Sequence, residues 1–207
     1  MTANANLPHS SKRPASRAGL SLVEVLITVA VIGILAGVLI PQMQADVPDR
    51  LIAAGQIVAA DLEYARSLAV VNNSTYRVTF EPDENGYSLE HSGANVLLEP
   101  LPPSPFHQSA AAADRQTTSL DDLPIGKPNA QIVGALTAAG GAEVQDVDFA
   151  ATGGTTRGDS TLVWLACGHG EGRRFLPVSI HATTGLVEVG EVTAELPDAL
   201  DDVETSP

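Results

Sequence analysis

Residues 20–40 form a predominantly apolar stretch of 21 residues that holds one ionisable side chain, Glu24. As a helix this stretch extends about 30 Å, the thickness of a bilayer core. A lone acid inside a span costs about 2.5–3.5 kcal/mol on insertion scales, so something must offset it. A cut between Gly19 and Leu20 supplies the offset. Leu20 would then carry a free α-amine, cationic over most of the neutral range, with Glu24 about one helical turn away. In a low-dielectric setting a paired charge costs far less than an unpaired one. Glu24 can pair with its own amine or with a neighbour's, and the arrangement favours side-by-side packing of similar helices. Without the cut, the same stretch reads as a signal anchor with a tolerated glutamate.

The residues before the stretch agree with a cut there. Residues 1–19 hold Lys12, Arg13 and Arg17 and no acid. Positive flanks stay in the cytoplasm, which places the N-terminus inside and the bulk of the chain outside. A secretory signal has a shorter apolar core and a small-residue cut site after it. Here the apolar run is longer, and the downstream candidate, Met43-Gln44-Ala45, is poor.

Charge narrows the partners. The chain carries a formal net charge of −14 over 207 residues, and losing the three leader cations leaves a mature chain near −17. A field of that sign repels phosphate backbones. The single cysteine, Cys167, excludes an internal disulfide, so the part outside the membrane must be held by packing.

In these residues the chain resembles the type IV pilin-like superfamily, which includes pilins and the pseudopilins of type II secretion. The resemblance rests on a basic leader, Gly19 at the cut, an apolar first residue and glutamate at the fifth mature position. Leu20 stands where phenylalanine is usual, and Pro41 stands at the family's proline, twenty-two residues into the mature chain. The resemblance implies cleavage between Gly19 and Leu20 by a prepilin peptidase, N-methylation of Leu20, and assembly through Glu24.

Four regions follow along the chain. Residues 20–72 read as one long helix, transmembrane over 20–40 and kinked at Pro41. Beyond Pro48, Leu51, Gly55, Val58, Leu62, Ala65 and Ala69 recur at spacings of three and four, and Asn72-Asn73-Ser74 stops the helix. Gly33 and Gly37 form either a close-packing face or an ordinary pair of small residues. Residues 75–80 and 87–90 alternate around a turn ending in Asn85-Gly86, a hairpin signal, and residues 96–98 are a candidate strand. Residues 100–128, rich in proline, read as a loop insertion, given either to partner contact or to disorder. Residues 146–149, 161–167, 175–180 and 186–189 read as strands. The periplasmic β domain thus spans 73–190, and residues 191–207 read as an acidic mobile tail.

The segment from Asp61 to Ala69, the strand ending in Phe80, the Asp148-Phe149 strand with its glycine turn, the Arg173-Arg174 turn and Thr184-Gly185 resemble the pseudopilin H and FimT-like branch. That resemblance implies an α+β fold, a long N-terminal transmembrane helix packed on a C-terminal antiparallel two-sheet domain.

Candidate chemistry is sparse. Cys167-Gly168-His169 pairs a thiol with an imidazole, but residues two apart rarely supply nucleophile and base by themselves. The glycine-rich residues 168–172 lack the lysine and following helix of a phosphate loop. His91 and His181 have no metal partners at useful spacing, and the acids at 83–84 lack the alternation of a calcium loop. Arg173 and Arg174 read as a solvated turn. Arg66 either pairs with Asp61 or Glu63 on the surface or plays a structural role against the sheet. We therefore expect no catalytic residues, no enzyme activity, no cofactor and no metal.

The leading expectation is a non-enzymatic minor pseudopilin of a type II secretion pseudopilus, single-pass in the inner membrane with its C-terminal domain periplasmic. Its partners would be other pseudopilins or pilins through the N-terminal helix, the prepilin peptidase and an inner-membrane assembly platform. A FimT-like minor pilin, acting in pilus assembly or DNA uptake, is the alternative. The acidic residues Glu195, Asp198, Asp201, Asp202 and Glu204 weigh against nucleic acid. A membrane-anchored periplasmic domain of another kind is the third reading.

Overall fold

The computed structural model describes residues 21–42, 46–102, 113–126 and 129–201, with the backbone alone at 36–42 and 201. The chain divides into two units, residues 1–44 and 45–207. In the first, Leu22–Gln42 is helix α1. In the second, Val47–Val71 is helix α2, and two four-stranded antiparallel sheets carry the rest.

The helix expected to run unbroken over 20–72 is interrupted, because Asp46 is extended, at φ −66° and ψ 158°. Asp46-Val47-Pro48 begins a helix afresh. Pro48 lacks an N–H, which costs nothing in a first turn, and Asp49 there complements the helix dipole. Pro41, the position of the expected kink, falls in the last turn of α1, and residues 43–45 after it lie outside the described residues. The asparagine stop holds as expected. Asn73 takes the left-handed conformation at φ +46°, and the Ser74 N–H donates to Ala69 O at 3.0 Å.

The first sheet holds β1 (Tyr76–Glu81), β2 (Gly86–His91), β3 (Arg115–Ser119) and β5 (Asp146–Phe149) in the order β3-β2-β1-β5. The second holds β4 (Gln131–Thr137), β6 (Thr161–Cys167), β7 (Arg174–Ile180) and β8 (Val187–Val189) in the order β4-β6-β7-β8. One face of α2 presents Leu51, Ala54, Gly55, Val58, Leu62, Ala65, Leu68 and Ala69, all buried. Those positions repeat every three or four residues, the period of a helix that buries one stripe. The stripe packs on β1 and β5 of one sheet and on β6, β7 and β8 of the other. Both sheets thus share one core with the helix, through Tyr76, Val78 and Phe149 on one side and Leu165, Leu176 and Ile180 on the other.

Three expectations fail here. Val96–Leu98 is a 3-10 turn, not a strand, with the Asn95 side chain accepting the Leu97 N–H. Residues 100–128 are not all loop. Arg115–Ser119 forms β3 on the edge of the first sheet, followed by the turn Leu120–Asp122 with Leu120 fully buried. The acidic tail is also ordered as far as the described residues reach. Gly190 and Thr193 hydrogen-bond to Pro177 and Phe175 along β7, and Asp198–Asp201 forms a single helical turn. Leu200 is 1% exposed. It lies on the outer face of the second sheet with Val133, Leu136, Trp164 and Phe175. Gly134 makes room for it, since a Cβ there would come within 2.9 Å of Leu200 Cδ2. The β4 strand itself, at 131–137, lay outside the predicted elements.

Candidate functional site

Every described side chain over residues 22–35 of α1 is exposed, on all faces of the helix. They include Leu22, Val23, Leu26, Val29, Ile32 and Ile34. An ordinary amphipathic helix hides one stripe and wets the other; a helix apolar all round needs an apolar environment on every side. One hydroxyl falls within it, and Thr28 Oγ1 donates back to Val25 O at 2.8 Å, which satisfies the hydroxyl without water. Glu24 lies in the first turn of α1 and is exposed, where the helix dipole favours an acid. Around Gly33 a Cβ would meet nothing within 4 Å. Gly19 and Leu20 lie outside the described residues, and so does the geometry between Glu24 and a Leu20 amine. Among the described residues no helix is long and apolar enough to cross a membrane; residues 36–40 of the expected span have no described side chains.

The other charged groups singled out from sequence serve the fold. Both readings of Arg66 hold. Its Nη1 donates to Glu63 Oε2 at 3.0 Å, and its Nε donates to Gly153 O at 3.0 Å. Glu63 Oε1 in turn accepts the Val187 N–H at 3.0 Å. One ion pair on α2 therefore ties the helix to the turn after β5 and to the start of β8. Asp61 Oδ2 accepts from Tyr87 Oη and Thr118 Oγ1, linking α2 to β2 and β3. Burial first, and the nearby Asp61 charge second, push the Tyr87 phenol well above its ordinary value. Arg77 grips Asp148 directly across the β1–β5 pair through two bonds of 2.9 Å, a fork geometry that lysine could not make.

Cys167 and His169 do not form a catalytic pair. Cys167 is buried at the end of β6, and burial raises its thiol, which disfavours the thiolate a nucleophile needs. His169 is exposed in the next turn. His91 Nε2 sits 2.7 Å from Ser74 Oγ and its ring meets Tyr76 edge-on. His181 Nδ1 caps its own turn at Thr184. Among the described residues no group of three His, Cys, Asp or Glu side chains is placed to hold a metal.

Sequence reasoning missed the Asp61–Tyr87 link, the Arg77–Asp148 fork and the tail leucines. The tail was legible in part, since Leu196 and Leu200 are spaced four apart, one helical turn, within the acids.

Residues 14–40 match the family model described as the prokaryotic N-terminal methylation motif. No curated protein matches the chain. Among solved structures, the type IV minor pilin FimU of Pseudomonas aeruginosa (strain PAO1) is similar at 19% identity over 72% of this chain and 92% of that one, with a TM-score of 0.43. The minor pseudopilin EpsH from the type 2 secretion system of Vibrio cholerae is similar at 12% identity over 69% of this chain and 96% of that one, with a TM-score of 0.46. The resemblance to type IV pilin-like proteins read from Gly19, Leu20 and Glu24 thus meets the family model on the same residues, Pro41 lying just beyond them: the chain carries the prokaryotic N-terminal methylation motif.

Proposed function

We propose that this chain is a non-enzymatic assembly subunit, a minor pseudopilin of a type II secretion pseudopilus or the equivalent minor subunit of a pilus. The observation that carries the reading is α1, apolar on all faces with one carboxylate in its first turn, inside a matched methylation motif. A peptidase cuts between Gly19 and Leu20, and the new amine at Leu20 is methylated. The helix stays in the inner membrane with the two-sheet domain in the periplasm until neighbours replace the lipid around it. Exchange of lipid for protein leaves the apolar burial of α1 nearly unchanged. Glu24 then decides the energetics, because an uncompensated carboxylate in a low-dielectric bundle costs several kcal/mol and an amine beside it removes most of that cost. Pseudopilus membership is our preferred reading over pilus membership, because the acidic mature chain suits neither a nucleic-acid ligand nor DNA uptake.

The test is the mature N-terminus of protein recovered from membranes, by intact mass and N-terminal peptide. The expected start is Leu20 with one added methyl group. An uncut chain, or a start near Asp46, overturns the reading. Deletion of the gene then separates the machines, since loss of secretion with intact pili assigns the pseudopilus and the reverse assigns the pilus.

A further inference from the structure

At the end of the second sheet, the turn before β7 and the incoming tail enclose a cleft of about 270 Å³. Phe175 forms its floor, Ala194 and Leu196 one wall, and Arg173 and Arg174 the other, with Glu171 on the rim. The Arg173 guanidinium lies over the Phe175 ring, 5.3 Å from its centroid. Arg174 is held from one side. Its Nη1 donates to the main-chain carbonyls of Glu171 at 2.9 Å and Arg173 at 2.7 Å. Among the described residues, its Nε and Nη2 donate to no protein acceptor. Four other arginines, Arg66, Arg77, Arg115 and Arg157, each bond a carboxylate.

We propose that this cleft receives a carboxylate from an acidic protein segment that carries an apolar residue beside the acid. The fork geometry of a guanidinium fits a carboxylate through two parallel bonds, and the two carbonyls fix Arg174 before the partner arrives, which lowers the cost of binding. The Phe175 floor and Leu196 wall take the apolar neighbour. A nucleic-acid backbone offers anions but no aliphatic group for that floor, and its many phosphates meet the field of a strongly acidic chain. A short segment with one or two carboxylates meets the local charge instead. The inference does not depend on the assembly reading.

The chain has one tryptophan, Trp164, in the same apolar cluster as Phe175 and Leu196, and it serves as the reporter. The full chain in detergent is titrated with a blocked peptide of alternating aspartate and leucine while Trp164 emission is followed. The expected result is a saturating shift, weakened at least ten-fold with asparagine in place of aspartate. Arg174→Gln should weaken it at least ten-fold while the variant still unfolds cooperatively in urea, and Arg174→Lys should weaken it less. Equal response to the two peptides, or no response to either, overturns the proposal. A thymidine oligonucleotide that displaces the acidic peptide at lower concentration than the peptide's own half-saturation also overturns it, in favour of a phosphate site.

Discussion

Replacing Gly185 by alanine should unfold the junction between the two sheets, and the size of the effect follows from two separable costs. Gly185 sits in the β7–β8 turn at φ +64°. An L-residue in that left-handed conformation costs about 1–2 kcal/mol. A Cβ at this position would also collide with Gly153 O and stand 3.2 Å from Arg66 Cδ. The obstacle is a main-chain carbonyl, so no rotamer change relieves it, and the 153 turn must move. That movement breaks the bond from Arg66 Nε to Gly153 O, worth about 1.5–3 kcal/mol for a charged donor. The total is about 2.5–5 kcal/mol. Two controls separate the terms. Gly170 has φ +54° with nothing within 4 Å of its Cβ position, so Gly170→Ala should show only the conformational cost of about 1–2 kcal/mol. Gly158 has open space and no positive φ, so Gly158→Ala should change stability by under about 1 kcal/mol. Urea unfolding of the full chain in detergent, read by Trp164 fluorescence, measures all three. A Gly185→Ala variant no less stable than Gly170→Ala would refute the argument, because it would show the two turns to move apart freely.

Three further outcomes follow from the structure. Leu200→Ala should cost about 2–4 kcal/mol by leaving a cavity and should shift Trp164 emission to the red, because the two side chains share one cluster; an unchanged urea midpoint and spectrum would mean the tail does not cover this face. Tyr87 holds its proton in the folded chain to a pH well above 10, where the unfolded chain releases it. Its contribution is complete below about pH 10 and falls as pH rises toward the folded value, by at most about 1.4 kcal/mol per pH unit. Tyr87→Phe should therefore flatten the stability curve above pH 10, and matched slopes would contradict the assignment. On the assembly proposal, Glu24→Val should leave membrane insertion intact and impair incorporation into a fibre, measured by shearing and immunoblotting; normal incorporation would sink the pairing argument.

The core stripe of α2 was readable because the helix buries one face at fixed spacing, and Leu51, Val58, Leu62 and Ala65 report it without neighbours. The hairpin at Asn85-Gly86 was readable for a similar reason, since the turn needs a residue tolerant of the left-handed region and Asn85 takes φ +48°. β3 was not readable. Arg115-Gln116-Thr117-Thr118-Ser119 alternates exposed and buried positions, but its inward groups are Gln116 and Thr118, which carry no apolar signal. Gln116 is satisfied by a bond to Pro102 O and Thr118 by Asp61, partners that only the folded chain brings near. Arg66 was left between two roles for the same reason, because Gly153 lies far from it in sequence.

By itself the sequence determined what depends on nearest neighbours along the chain: the apolar N-terminal stretch with its single acid, the methylation motif, the helical stripe, and the turns that asparagine and glycine require. Only the tertiary structure decided where the polar groups go. It placed Glu63 and Arg66 across two turns, Asp61 beneath Tyr87, and Leu200 on Trp164. Each of these joins residues distant along the chain, and their energies depend on distance and burial, which residue order does not specify until two sheets and a helix have closed on one core.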